Sequence, residues 1–187
     1  MTYDDAEWHY DSVGELDLDT AAASTHIGMF MAWLALHGLT QSDCNPTELH
    51  SRTITPGEYL RRYCVNQIDP SMLTDTGNAF TEAGYRAYLS GYRNVPAVAR
   101  HGERYGEPDT WETYDEVAQM IDGLYAEWRS AVSHRHPRLA AADPGGTHEG
   151  APRNRCRHQR IRAHRSLRAA HRRRPGPGPD LRLQPGS

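Results

Sequence analysis

Residues Ile27 to Leu36 read IGMFMAWLAL, ten residues without a charge, and the reading of this run decides the fold. A membrane-spanning helix needs roughly 20 apolar residues, and the segment before this run is acidic rather than basic. The run is therefore expected to be a buried helix. Asp19-Thr20 can cap a helix through AAASTHIGMFMAWLALH, and Gly38 stands where a left-handed residue would end it. Its apolar side chains fall on nearly every face, which places the helix, with Phe30 and Trp33, at the centre of a core.

Further helix starts follow. Asn45-Pro46 with Glu48, and Thr55-Pro56 with Glu58, each pair a cap residue and a first-position proline with an acidic first turn. Asp69-Pro70 offers a third start, leading into a Gly- and aromatic-rich segment read as helical. After Asp109 or Thr110 as cap, Trp111, Tyr114, Val117, Ala118, Ile121, Leu124, Tyr125 and Trp128 recur at three- and four-residue spacing. That stripe should face inward while Glu112, Asp115, Glu116, Asp122 and Glu127 face water or a partner. No alternating run is long enough to predict a strand. The expected fold is mainly α: a single compact helical domain over residues 1–133.

The 187-residue chain has a net charge of −3 that averages two unlike parts. Residues 1–133 hold 8 Arg against 21 Asp and Glu, a balance of −13; residues 134–187 hold 13 Arg against 3, a balance of +10. The second part has no Phe, Trp, Tyr, Met or Val and is dense in Arg, Pro and Gly. Such a composition cannot bury enough apolar surface to offset chain entropy, so disorder is expected there. The chain contains no lysine, which suggests GC-rich coding, and the tail's vocabulary is what GC-rich DNA encodes in a shifted frame. A frameshifted extension is thus one reading of it. Nucleic-acid binding through its arginines is another, disfavoured by the lack of interleaved aromatics and by the acidic domain beside it. Three cysteines with no Cys-x-x-Cys pair make a reducing cytoplasm the expected compartment.

The chemistry-bearing residues gather at the start, in YDDAEWHY, residues 3–10. Asp4, Asp5, Glu7 and His9 are oxygen and imidazole donors that, with His26, can form a carboxylate–histidine site. No spacing such as H-E-x-x-H supports this, so neither a metal nor a cofactor is assigned. His26 and His37 lie eleven residues apart, about 16 Å along a helix, and cannot share an ion. The simpler reading makes the octapeptide a clasp: Trp8, His9 and Tyr10 dock onto the central helix and the aromatic C-terminal helix, joining a core with Trp111, Ile121 and Trp128, while Asp4 and Asp5 form an exposed rim. Cys64 is read as a buried, inert thiol. Nucleophile-elbow and Gly-rich phosphate-loop motifs are absent from the sequence.

With YDDAEWHY, THIGMFMAWLALHGL at 25–39, GNAF at 77–80 and DTWETYDEVAQMID at 109–122 in view, the chain resembles a family of small bacterial domains of unknown function. Its members open with Tyr-Asp-Asp-Ala-x-Trp-His-Tyr and continue into a Thr-His-Ile-Gly-Met-Phe helix. The resemblance spans about residues 1–130 and implies no activity.

Charge then favours a non-catalytic interaction module, an immunity or inhibitor protein for a basic partner. The alternative is a metal-assisted hydrolase whose site gathers Asp4, Asp5, His9 and His26 at the start of the central helix. It fails if the two histidines lie apart or spend their nitrogens on backbone.

Overall fold

The computed structural model describes residues 1–135, which are mainly helical. The apolar run forms α2 (Thr25–Leu36), preceded by a 3-10 turn over Thr20–Ser24 that Asp19 caps by accepting from Ala21 N at 2.8 Å. Every residue of α2 except Leu36 is buried. Gly38, at φ +67°, closes it with the left-handed conformation that a Cβ disfavours. A helix apolar all round must be covered all round: α4 (Pro56–Tyr63) and α7 (Trp111–Arg135) pack against it, and α5 (Asp75–Tyr92) meets Phe30 and Trp33 through Phe80, Tyr85 and Tyr88.

The closest approach is between α2 and α4. A Cβ on Gly28 would sit 2.7 Å from Gly57 Cα, Gly57 N and Pro56 O, so the two backbones pack directly against each other. Thr55 caps α4 through Glu58 N at 3.3 Å, with Pro56 in the first turn as expected. Asp109 also serves this helix: its Oδ1 accepts from Gly57 N at 2.9 Å and its Oδ2 from the Thr55 hydroxyl at 2.5 Å. Thr110 is left to cap α7, accepting from Thr113 N at 3.3 Å.

The Asn45-Pro46 start yields one turn, α3 (Thr47–His50). Asp69-Pro70 opens only a 3-10 turn over Pro70–Met72, and α5 begins afresh behind Thr74, whose hydroxyl accepts from Gly77 N at 3.1 Å. Two short helices without a clear signal in the sequence, α1 (Tyr10–Glu15) and α6 (Pro96–Ala99), complete the described set.

A two-residue antiparallel pair, β1 (Asp4–Asp5) with β2 (Gln67–Ile68), ties the N-terminus to the fold in the register Asp4 to Ile68. Tyr3 N to Ile68 O at 2.8 Å and Ala6 N to Asn66 O at 2.9 Å extend it. Strands this short carry no readable alternation, which is why none was predicted.

Phe30, Trp33 and Ile121 are fully buried, whereas Trp111, Trp128 and Tyr10 are partly buried against the core. Trp8 departs from expectation, with 62% of its surface exposed. Residues 6–9 form a 3-10 turn, and at three residues per turn Ala6 and His9 share the inward face while Glu7 and Trp8 point out. Asp122 is exposed as expected and also accepts the Trp33 indole N–H at 2.9 Å. Asp115 pairs in a fork with Arg52, whose guanidinium covers the Trp111 ring at 4.5 Å. The readings of residues 136–187 as a disordered, frameshifted or nucleic-acid-binding tail lie outside the described residues.

Candidate functional site

The β1–β2 pair decides which aspartate of the opening segment turns inward. Successive strand residues point to opposite faces: Asp4 goes into the fold and is buried, while Asp5 turns outward and caps the 3-10 turn by accepting from Glu7 N at 2.9 Å. The expected exposed rim is therefore half wrong. Asp4 is instead the centre of a polar cluster.

Asp4 Oδ1 accepts from Asp5 N at 2.8 Å and lies 2.9 Å from His9 Nε2. Its Oδ2 accepts from the Tyr85 hydroxyl at 2.6 Å and lies 3.6 Å from His26 Nε2. Burial alone would raise this carboxyl, but the nearby His26 and hydrogen bonding from His9 and Tyr85 outweigh it and hold Asp4 well below the usual carboxylate range. Asp4 is thus an anion inside the protein, stabilised by donors on three separate stretches of chain.

The two histidines meet edge to face, ring centroids 4.8 Å apart. His9 Nδ1 lies 2.9 Å from the Tyr105 hydroxyl, so both its ring nitrogens are engaged by side chains and neither by backbone. Tyr105 sits at φ +63°, a left-handed conformation that is rare for a bulky residue and that tertiary contacts must hold in place. The donor atoms of Asp4, His9 and His26 all lie within 4.8 Å of one another. Of the four side chains expected to gather here, Asp4, Asp5, His9 and His26, the structure brings together Asp4, His9 and His26. Asp5 and Glu7 do not join them.

The cluster opens onto a cavity of about 320 Å³ whose wall includes His9, His26, Tyr92, Val98, Tyr105 and Glu107. Four of the residues that shape the site were not singled out in the sequence: Tyr85, Tyr92, Tyr105 and Glu107. A signal for the first two existed. Tyr85, Tyr88 and Tyr92 follow helical spacing along α5 and all are buried; each hydroxyl has a polar target, Asp4 for Tyr85, the His26 carbonyl at 2.5 Å for Tyr88, and Glu107 Oε1 at 3.0 Å for Tyr92. Burial pushes all three phenols upward, so they act as hydrogen-bond donors rather than phenolates. Tyr105 and Glu107 stand in a loop between α6 and α7, where no periodicity could mark them.

Cys64 is fully buried, and its thiol is pushed upward by hydrogen bonding with Cys44 and by burial.

A family model described as Domain of unknown function (DUF7832) matches residues 2–106, more than half of the chain. The chain belongs to this family. The DUF7832 match includes Asp4, His9, His26, Tyr85, Tyr92 and Tyr105, and stops one residue before Glu107. No curated protein and no solved structure matches the chain. Among the described residues of this DUF7832 protein, no helix is long and apolar enough to cross a membrane.

Proposed function

We propose that this DUF7832 protein is a metal-dependent enzyme, of the hydrolytic class, with Asp4, His9 and His26 as the metal ligands. The observation that carries the reading is one buried carboxylate flanked by two imidazoles that themselves line a cavity. Two His and one Asp make a donor set suited to a divalent transition metal, and three protein ligands beside open space match the catalytic rather than the structural type of site. Tetrahedral donors about 2.1 Å from a shared ion lie about 3.4 Å apart, and the donors of this set, within 4.8 Å of one another, approach that spacing with side-chain movements on the order of 1 Å.

The outer partners support the same reading. Ligating histidines commonly donate their second N–H to an acceptor, and ligating carboxylates are themselves hydrogen-bonded. Tyr105 stands at His9 Nδ1 and Tyr85 at Asp4 Oδ2. For His9 Nε2 to bind an ion, its proton moves to Nδ1 and the Tyr105 hydroxyl turns from donor to acceptor, with no net change in charge. A bound divalent ion would supply activation of a water molecule. The chain's own residues fix the ligands, and the cavity holds the substrate.

The alternative, an interaction module for a basic partner, retains the charge balance of −13 over residues 1–133 in its support. It loses its anchor, because a buried Asp4 is not presented to a partner.

The test is calorimetric titration of chelator-treated full-length protein with Zn²⁺ and Mn²⁺, beside Asp4→Asn and His26→Gln variants checked for folding. The variants matter because residues beyond 135 contain further histidines and Cys156. One equivalent of ion bound by the wild type and lost in both variants is the expected result; identical titrations of all three proteins would sink the assignment.

A further inference from the structure

Asp4 and Glu107 are the two buried carboxylates among the described residues, and their surroundings differ. Asp4 has His9, Tyr85 and its own neighbour's N–H as partners, with His26 close by. Glu107 has the Tyr92 hydroxyl on Oε1, and among the described residues no hydrogen bond to Oε2 and no basic side chain within 4.0 Å. A buried carboxylate is normally paired or fully hydrogen-bonded. Glu107 is neither, and it lines the same cavity as His9 and His26.

We propose that Glu107 is the recognition group for a positively charged nitrogen, so that the ligand of this cavity is a small molecule carrying a primary ammonium group. The inference rests on the reading of the cavity as the substrate chamber of the Asp4–His9–His26 centre. Tyr92 links the two: its ring centroid is 6.2 Å from that of His26 and its hydroxyl 3.0 Å from Glu107 Oε1. An ammonium at Glu107 leaves the rest of the ligand in the cavity that His9 and His26 also line. A cavity of about 320 Å³ suits a ligand of this kind.

Arg93 and Arg104 line the same cavity and would favour an anion instead. Burial decides between them. Both arginines are exposed, and Arg104 lies over the Tyr105 ring at 5.1 Å, so their charges are spread into water and screened. Glu107 is buried as a residue, yet its Oε2 has no protein partner among the described residues and is open to the cavity, where a ligand's cation can reach it.

The test uses metal-free full-length protein, so that failure of the metal assignment and failure of this inference are read separately. Amide shifts of Tyr92, Val98 and Tyr105 are followed by NMR during titration with n-butylammonium, n-butanol and n-butyrate, three probes of similar size that differ in charge. The expected result is saturable binding of butylammonium at least about tenfold tighter than of the other two, with the preference abolished in Glu107→Gln. Gln can still accept from Tyr92, which protects the fold of the variant. Equal binding of butanol, a preference for butyrate, no saturable shift with butylammonium, or an unchanged preference in Glu107→Gln would each overturn the proposal. The comparison among probes on the wild type stands even if the variant fails to fold.

Discussion

His9 Nδ1 and the Tyr105 hydroxyl oxygen lie 2.9 Å apart across 96 positions of sequence, and Tyr105 reaches that point from a left-handed backbone. In the proposed metal centre this phenol would orient His9 from its Nδ1 side. Tyr105→Phe keeps the ring and removes the oxygen. It is expected to weaken divalent-ion affinity by about tenfold or more, since outer-shell partners commonly matter to that degree. The loss of stability should stay within about 1.5 kcal/mol, and calorimetric titration beside urea unfolding separates the two effects. Unchanged affinity would remove Tyr105 from the site.

Asp4 ties three elements together, and its truncation should be felt in the fold as well as in the site. Asp4→Ala leaves the buried Tyr85 hydroxyl without its acceptor and His9 without its carboxylate. The expected cost is about 2–4 kcal/mol in urea unfolding. Asp4→Asn retains one acceptor oxygen and should cost less. A variant Asp4→Ala as stable as wild type would show that the cluster contributes nothing to folding.

The crossing of α2 and α4 makes a sharper demand. At Gly28 an added methyl would meet backbone atoms of Pro56 and Gly57, all at 2.7 Å. Flexible side chains can move aside, but two packed helix backbones cannot. Gly28→Ala should therefore destabilise by about 2–3 kcal/mol or more, the upper range for overpacking, and a reduced urea midpoint at unchanged slope is the signature to seek.

Asp109 is expected to act on a helix 52 positions away rather than on its own neighbour. Asp109→Ala removes the acceptors of Gly57 N and of the Thr55 hydroxyl, and should cost about 1–2 kcal/mol as a lost cap. Hydrogen exchange of the first turn of α4 would localise the loss; faster exchange confined to the start of α7 would contradict it.

The two tryptophans Trp8 and Trp33 should respond oppositely. Trp8→Ser, at an exposed position, is expected within about 0.5 kcal/mol of wild type. Trp33→Ala, at a fully buried position that also bonds Asp122, should cost about 3–5 kcal/mol. Equal unfolding midpoints for the two variants would refute this assignment of core and surface.

The sequence by itself determined the central helix, the mainly helical fold, the Gly38 stop, the Thr55-Pro56 start and the inward stripe of α7. These features depend on residues within one or two turns of each other, so periodicity and capping chemistry suffice to read them. Membership in a family of unknown function was expected from the sequence over about residues 1–130, and the family model covers residues 2–106. Only the tertiary structure decided that Asp4 turns inward and Trp8 outward, because a two-residue strand and a single 3-10 turn take their orientation from the partner strand rather than from any pattern of their own. It also decided that His9 and His26 line one cavity with Tyr105 and Glu107, and that Asp4, bonded to Tyr85, lies against those two histidines. Those six side chains come from five stretches of chain spread over residues 4–107, and what brings them together is the packing of α5 and the loop before α7 around α2, which no local spacing encodes.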